Sequence, residues 1–246
     1  MGELNIIGLG PGAKEHMTIK AYETLENSDL IVEYTGYIKL IPEELKGIET
    51  ISTGMGYEAD RCKLALDKAV EEKRVSLVCS GDSVVYGMAG LVYELIDENK
   101  SDYQKINVNV IPGVSAAISG SALIGAGIGN DFAVISLSNY LTKKEDTYKR
   151  LECMAKADMV IVLYNPSSHK RPDCLKEACE FLLNYIEKDR ICAVARNIGR
   201  DDESYEIMSL IKLKDTSVDM FSTVFIGSTK SVEINGKFVT RRGYSV

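Results

Sequence analysis

Val75–Gly90, VSLVCSGDSVVYGMAG, is the stretch that decides the fold. Its first five residues, Val75–Cys79, form a short apolar run and read as a buried strand. The run breaks at Ser80-Gly81-Asp82-Ser83 and resumes as a helix from about Gly87. Strand, glycine turn and helix in that order make a βα unit, and open α/β sheets bind ligands beyond the carboxyl ends of their strands. Ser80, Asp82 and Ser83 stand at such an end. Their oxygens can hold hydroxyls or an amine, and Gly81 lets a ligand approach the backbone amides. The plainer alternative is a connecting turn in which Asp82 or Ser83 caps the helix.

Upstream, Leu4–Ile7 reads as a strand followed by Gly8-Leu9-Gly10-Pro11-Gly12. This loop resembles a dinucleotide fingerprint, but its third glycine comes one residue early for G-x-G-x-x-G. The helix after it is also delayed, starting near Thr18. Asp29–Glu33 is a second strand, and Glu33 could stand for the ribose-binding acid of an NAD(P)-dependent oxidoreductase, which is one functional alternative. Tyr34–Ile41 is mixed aromatic and apolar, followed by a loop through Gly54-Met55-Gly56. Cys62, Leu66, Ala69 and Val70 recur at helical spacing, giving an amphipathic helix over about 58–73 with Lys63, Asp67, Lys68, Glu71 and Glu72 outward. The helix of the opening stretch runs to about Glu98, and Ile106–Ile111 is the next strand. The repeated βα order predicts a mostly parallel sheet.

Downstream, Pro112-Gly113-Val114-Ser115-Ala116-Ala117 starts a helix of small residues extending to Gly127. Ser115, near its start, offers a hydroxyl and the free amides of a first helical turn. Gly125–Asn130 reads as a hinge, and the expected domains are 1–112 and 113–246. The second half predicts strands at Ala133–Leu137, Met159–Leu163, Ile191–Ala195, Ser204–Met208 and Thr223–Ile226. Helices are expected at Lys143–Ala157 and along the face Leu175, Ala178, Cys179, Leu182, Leu183, Ile186. Ser231–Ile234 and Lys237–Thr240 form a hairpin around Asn235-Gly236, so this half has more antiparallel character.

The chain has 246 residues, 45% hydrophobic and 26% charged, which suits one large or two smaller globular domains. A net charge of −7 argues against general nucleic-acid binding. No apolar run is long enough for a membrane span, and the start MGELNIIGLGPG has no basic segment, so a cytoplasmic location is expected. Cys62, Cys79, Cys153, Cys174, Cys179 and Cys192 form no Cys-x-x-Cys pair and read as free thiols. With only His16 and His169 beside them, no metal site is expected.

Several stretches stand together in one order: GLGPG at 8–12, SGDSVVYGMAG at 80–90, IPGVSA at 111–116, NDFAVISLSN at 130–139, YNPSSHKR at 164–171, ARNIGRDDE at 195–203 and TRRGY at 240–244. Together they resemble the tetrapyrrole (corrin/porphyrin) methyltransferases of cobalamin biosynthesis. The YNP, RNIGR and RRGY stretches resemble the members that methylate carbon 17 of the macrocycle while contracting it. The resemblance implies two α/β domains with mixed sheets, the class III methyltransferase fold, with S-adenosylmethionine in a cleft between the domains of a homodimer and no metal required by the protein. It places cofactor contacts on Pro11, Ser80, Gly81, Asp82, Val85, Tyr86, Ser115, Ala116, Asn165 and Asn197, and sets Gly10 toward the tetrapyrrole. Arg171, Arg196, Arg200 and Arg242 are candidates for pairing with the substrate's carboxylates, since a guanidinium meets a carboxylate bidentately. Tyr86, Asp131 and His16 are candidates for the acid or base of ring contraction, with no choice among them. Ser83 replaces the proline expected after Gly-Asp, Asn130 the histidine expected before Asp-Phe, Ser167 an arginine and Arg241 a proline. A sister methyltransferase acting at another ring position and a non-catalytic tetrapyrrole carrier are the remaining alternatives.

Overall fold

The computed structural model describes residues 2–71, 73–168 and 170–245. Glu72 and His169, named above, lie outside the described residues. The chain divides into two compact units, Met1–Ala116 and Ala117–Val246.

The first unit runs β1 (Glu3–Gly8), α1 (Ile19–Glu26), β2 (Leu30–Tyr34), β3 (Thr50–Thr53), α2 (Glu58–Val70), β4 (Arg74–Cys79), α3 (Ala89–Glu98), the single turn α4 (Lys100–Tyr103) and β5 (Asn107–Ile111). Its sheet has the order β3-β2-β4-β1-β5, and every pairing is parallel. Strands covered on both faces read as unbroken apolar runs. Accordingly β4 is buried from Val75 to Cys79 and β1 from Leu4 to Gly8. One face packs Leu4, Ile6, Val32 and Leu77 against Cys62, Ala65, Leu66 and Ala69 of α2. The other packs Ile7, Ile31 and Val78 against Ala21 and Leu25 of α1. The Thr18 hydroxyl caps α1, accepting from the Ala21 amide at 3.1 Å.

Three local expectations change here. α2 ends at Val70 rather than Lys73. Tyr34–Ile41 carries a 3-10 turn over Thr35–Leu40. β3 occupies part of what reads as loop, because its sequence, TIST, has no buried apolar alternation; it lies on the edge of the sheet.

The second unit runs α5 (Ala116–Ile124), β6 (Gly125–Ala126), β7 (Phe132–Ser136), α6 (Lys144–Lys156), β8 (Val160–Tyr164), α7 (Cys174–Leu182), β9 (Ile191–Arg196), β10 (Ser204–Ser209), α8 (Leu210–Leu213), β11 (Ser222–Ile226), β12 (Ser231–Ile234) and β13 (Lys237–Thr240). Its main sheet has the order β10-β9-β11-β8-β7. β11 is antiparallel to both neighbours, so β8 and β9 run the same way, and β7 is parallel to β8. The carboxyl ends of β7, β8 and β9 therefore share one edge.

Gly120 lets α5 settle onto this sheet: a Cβ there would stand 2.9 Å from the Phe225 ring and 3.0 Å from Ile198. The small-residue helix stops at Ile124 instead of Gly127. Gly125–Asn130, read above as a hinge, instead contains β6, which pairs in parallel with Phe238–Val239 inside this unit. The hairpin is as expected, with Asn235 and Gly236 both at positive φ (51° and 73°) as a type I′ turn requires. No described helix is long and apolar enough to cross a membrane.

Candidate functional site

In the first unit the loops after β1, β4 and β5 meet beyond the carboxyl ends of their strands, and main-chain atoms join them. The Leu9 amide donates to the Cys79 carbonyl at 2.9 Å, and Gly10 and Gly81 exchange both hydrogen bonds, at 2.9 and 2.7 Å. This approach needs the absence of side chains. A Cβ on Gly8 would lie 2.6 Å from the Gly113 nitrogen, and one on Gly113 would lie 2.1 Å from the Gly81 carbonyl oxygen. Gly10 and Gly81 also sit at positive φ, 78° and 70°.

Asp82 holds the same junction from its side chain. One carboxylate oxygen accepts from the amides of Val84 and Val85, and the other from the amide of Gly113, all at 2.9 Å. Burial alone would push this carboxyl up, but the amides of Val85, Gly113, Val84 and Ser83 outweigh it and hold the group below the usual carboxylate range. Ser83, standing where the resemblance expects proline, is fully buried and donates its hydroxyl to the Ile111 carbonyl at 2.9 Å. The departure is thus a second tie between the β4 and β5 loops.

Gly10, Pro11, Ser80, Gly81, Asp82, Ser115 and Ala116 all belong to this junction or flank it. A Cβ placed on Gly81 would be 3.8 Å from the Ser115 Cα and from the Ala116 nitrogen. Pro11 and Gly81 are buried, whereas Ser80, Ser115 and Ala116 are half-buried. The loop then carries Val84, Val85 and Tyr86 outward, all exposed. Tyr86 adopts φ 54°, a left-handed conformation costly for a bulky residue and concentrated at functional positions. His16 is exposed in a 3-10 turn (Lys14–His16), its carbonyl packed against Gly10.

The remaining candidates lie in the second unit. Asn165 and Asn197 follow β8 and β9 on the shared edge, both in the left-handed region at φ 52° and 50°. Asn165 donates to the Ser136 hydroxyl at 2.9 Å, and Asn197 to Asp202 at 2.7 Å. Arg171 donates to the Leu137 carbonyl at 2.9 Å, and Arg196 to the Ser217 carbonyl at 3.3 Å. Arg200 lies over the Phe221 ring and exposed Arg242 over Tyr244. Asp131 is exposed, its carbonyl accepting from the Val160 amide. Ser167 is buried, Asn130 half-buried and Arg241 exposed.

The dinucleotide alternative fails on this geometry. The Leu9 and Gly10 amides that would cradle a pyrophosphate are bonded within the protein, and α1 starts only at Ile19. Glu33 is fully buried under its sheet, accepting from Ser52 at 3.1 Å, and so is closed to a ribose. Its second oxygen has no partner, and burial pushes its pKa up, with the Ser52 hydroxyl and the Arg61 charge offsetting only part.

Sequence reading missed two groups. Arg61 is buried within α2 and ties the end of β3, donating to Thr53 Oγ1 and the Gly54 carbonyl, both at 2.8 Å. The second is Gly113, whose need for glycine comes from loops distant in sequence. Among the described residues no group of three His, Cys, Asp or Glu side chains is placed to hold a metal.

A parallel βα sheet with a glycine junction at its carboxyl edge, followed by a mixed sheet bearing the YNP and RNIGR loops, defines one class. The chain belongs to the tetrapyrrole (corrin/porphyrin) methylases, matching that family over residues 3–214. In particular it resembles the probable cobalt-factor III C(17)-methyltransferase of Methanocaldococcus jannaschii, 38% identical over 248 residues covering 98% of this chain and 97% of that protein. It is also 38% identical over 244 residues to the cobalt-factor III methyltransferase of Priestia megaterium, covering 99% of this chain and 45% of that protein. The chain therefore spans about half the length of the latter relative. Among solved structures, the methyltransferase CobJ superposes with a TM-score of 0.90 at 28% identity, over 98% of this chain and 100% of that one. Uroporphyrin-III C-methyl transferase from Thermus thermophilus, complexed with S-adenyl homocysteine, shares the fold with a TM-score of 0.71 at 19% identity, over 92% and 97%.

Proposed function

We propose that this protein transfers a methyl group from S-adenosylmethionine to carbon 17 of a precorrin or cobalt-precorrin macrocycle, with contraction of the ring, in cobalamin biosynthesis. The observation that carries the reading is the match, over nearly the whole of both chains, to a relative named for this reaction. The donor set of the first unit fits the methyl donor. Backbone groups beside Gly81 with the hydroxyls of Ser80 and Ser115 suit its amino-acid end, and the exposed Val85 and Tyr86 suit a purine face. The sulfonium supplies an activated methyl group when bound, which the protein needs only to align.

The chain's own residues then have distinct tasks. The glycine junction and Asp82 fix the loops that carry Pro11, Ser80, Gly81 and Ser115, so that donor and ring carbon meet with little reorganisation; orientation of this kind is worth up to roughly 7–11 kcal/mol. Asn165 and Asn197 hold their loops by side-chain bonds in left-handed turns and present main-chain groups to the ligand. Gly10 faces the macrocycle, and Arg171, Arg196, Arg200 and Arg242 serve its carboxylates. The protein works as a homodimer in the cytoplasm.

The test is calorimetric titration with S-adenosylhomocysteine and with NADH, followed by mass-spectrometric detection of a methylated product from cobalt-factor III. Micromolar binding of S-adenosylhomocysteine, about −8 kcal/mol, with no heat from NADH is expected. Absence of that binding refutes the proposal. Binding without methylation of cobalt-factor III points to a different ring position or substrate.

A further inference from the structure

We infer that the recess beside Arg171 is a subsite for a single carboxylate group, an inference that rests on the methyltransferase reading above. The recess has a volume of about 290 Å³ and opens beyond the carboxyl ends of β7 and β8, lined by Leu137, Asn139, Tyr148, Lys170 and Arg171 among others. It has room for a carboxymethyl or carboxyethyl arm together with several waters, each of roughly 30 Å³.

Arg171 is half-buried and anchored through one nitrogen to the Leu137 carbonyl, and that nitrogen also lies 3.6 Å from the Cys174 sulfur. Among the described residues no carboxylate lies within ion-pair distance of it, unlike Arg74 and Arg190, which are paired. A partly buried, oriented guanidinium without a carboxylate is set to receive one, because its fork matches that group bidentately. Of the other three candidate arginines, Arg196 is also half-buried and bonded to a carbonyl but is not on the wall of this recess, and Arg200 and Arg242 lie over aromatic rings.

Charge balance fixes the ligand class further. Lys144 and Glu177, both on the wall, neutralise each other at 2.6 Å. Of the other charged lining residues, Lys170 and Arg171 are positive and Asp173 negative, leaving a single positive charge among the described lining residues. One carboxylate brings the recess to neutrality, whereas a dianion such as phosphate overshoots. Such a carboxylate is that of an acetate or propionate arm of the macrocycle, the amino-acid end of the methyl donor being assigned above to Ser80 and Ser115.

The test titrates the full chain and its R171Q, R171K and K170Q variants with uroporphyrin I, an octacarboxylate, by fluorescence, and with S-adenosylhomocysteine by calorimetry. R171Q is expected to weaken uroporphyrin binding about tenfold or more, the effect of losing a charge-assisted pair. K170Q should have a smaller effect that added salt removes. R171K keeps the charge without the fork and covers the case in which R171Q folds poorly; it should lose affinity with an unchanged melting temperature. A loss confined to S-adenosylhomocysteine overturns the assignment of the recess to the macrocycle. Unchanged affinity for both ligands in well-folded R171Q and R171K overturns the subsite and leaves the methyltransferase reading standing. A wild-type chain that binds neither ligand overturns that reading, and the subsite with it.

Discussion

Replacing Asp82 separates two ways in which a carboxylate can serve a binding loop. Its two oxygens accept three main-chain amides, from Val84, Val85 and Gly113. Hydrogen bonds to a charged group contribute roughly 1.5–3 kcal/mol each where water cannot substitute and less where it can. The Val84 and Val85 amides belong to exposed residues and recover water; the Gly113 amide is half-buried and recovers less. Asp82→Ala is therefore expected to cost about 2–4 kcal/mol, a drop of roughly 5–15 °C in the melting of a chain this long. Asp82→Asn keeps one acceptor oxygen but turns an NH₂ toward amide donors, and should fall about midway. Loss of S-adenosylhomocysteine affinity should accompany the loss of stability in both variants, since the carboxylate acts by holding the 80–86 and 111–113 loops together. Differential scanning fluorimetry and calorimetric titration on the same samples give both quantities. An Asp82→Ala protein that melts like wild type yet no longer binds would refute the latch and make Asp82 a direct ligand contact. The pH dependence has a definite sign. The folded-state pKa is held below its unfolded value, so the stabilisation is present above the unfolded carboxylate range and fades as pH falls through the lowered folded value.

Other expectations follow from the same geometry. Ser83→Ala removes the bond to the Ile111 carbonyl and leaves that acceptor buried, costing about 1–2 kcal/mol in chemical denaturation. Gly113→Ala drives a methyl into the Gly81 carbonyl and should abolish stable folding of the first unit, whereas Gly90→Ala in α3, with open space at its Cβ, should stabilise by about 0.5–1 kcal/mol. Equal melting temperatures for the two variants would rule out close packing at the junction. Glu33 behaves oppositely to Asp82, because burial raises its folded pKa above the unfolded value. The contribution of its protonated form is complete below the unfolded pKa and is lost as pH rises through the folded one. Glu33→Gln should abolish that loss and be the more stable protein at pH 8, as read from melting at a series of pH values.

What could be read in advance follows from how local each signal is. The strand of Val75–Cys79 and its turn were legible because four apolar residues out of five, followed by a glycine, leave few alternatives. The hairpin at Asn235-Gly236 was legible because two successive left-handed residues demand such a pair. β3 was not, since an edge strand with one neighbour needs no apolar alternation. Arg61 was invisible because a charged residue on an amphipathic helix reads as surface until the loop it anchors is in place. The glycine loop at 8–12 was legible as a close approach, but not to what. Its partners, Gly81 and Gly113, lie in loops that follow other strands, and only the β4-β1-β5 order brings them together. Ser83 was noted as a departure, and its compensation through Ile111 needed the third dimension.

The strand order of the second unit also bears on how the chain is made. β11 lies at the centre of its sheet, between β9 and β8, yet it is later in sequence than every other strand of that sheet. A ribosome releases β7 with β8, and then β9 with β10, as two ribbons each presenting an open edge to the other. They cannot close until residues 222–226 emerge and slide between them. In the first unit β4 likewise enters between the earlier β1 and β2, but only one strand, β5, is then left to follow, and it adds to an outer edge. The interval between Ser209 and Ile226 is thus the period in which exposed strand edges invite mispairing, and where a chaperone or a pause in translation would have the largest effect on yield.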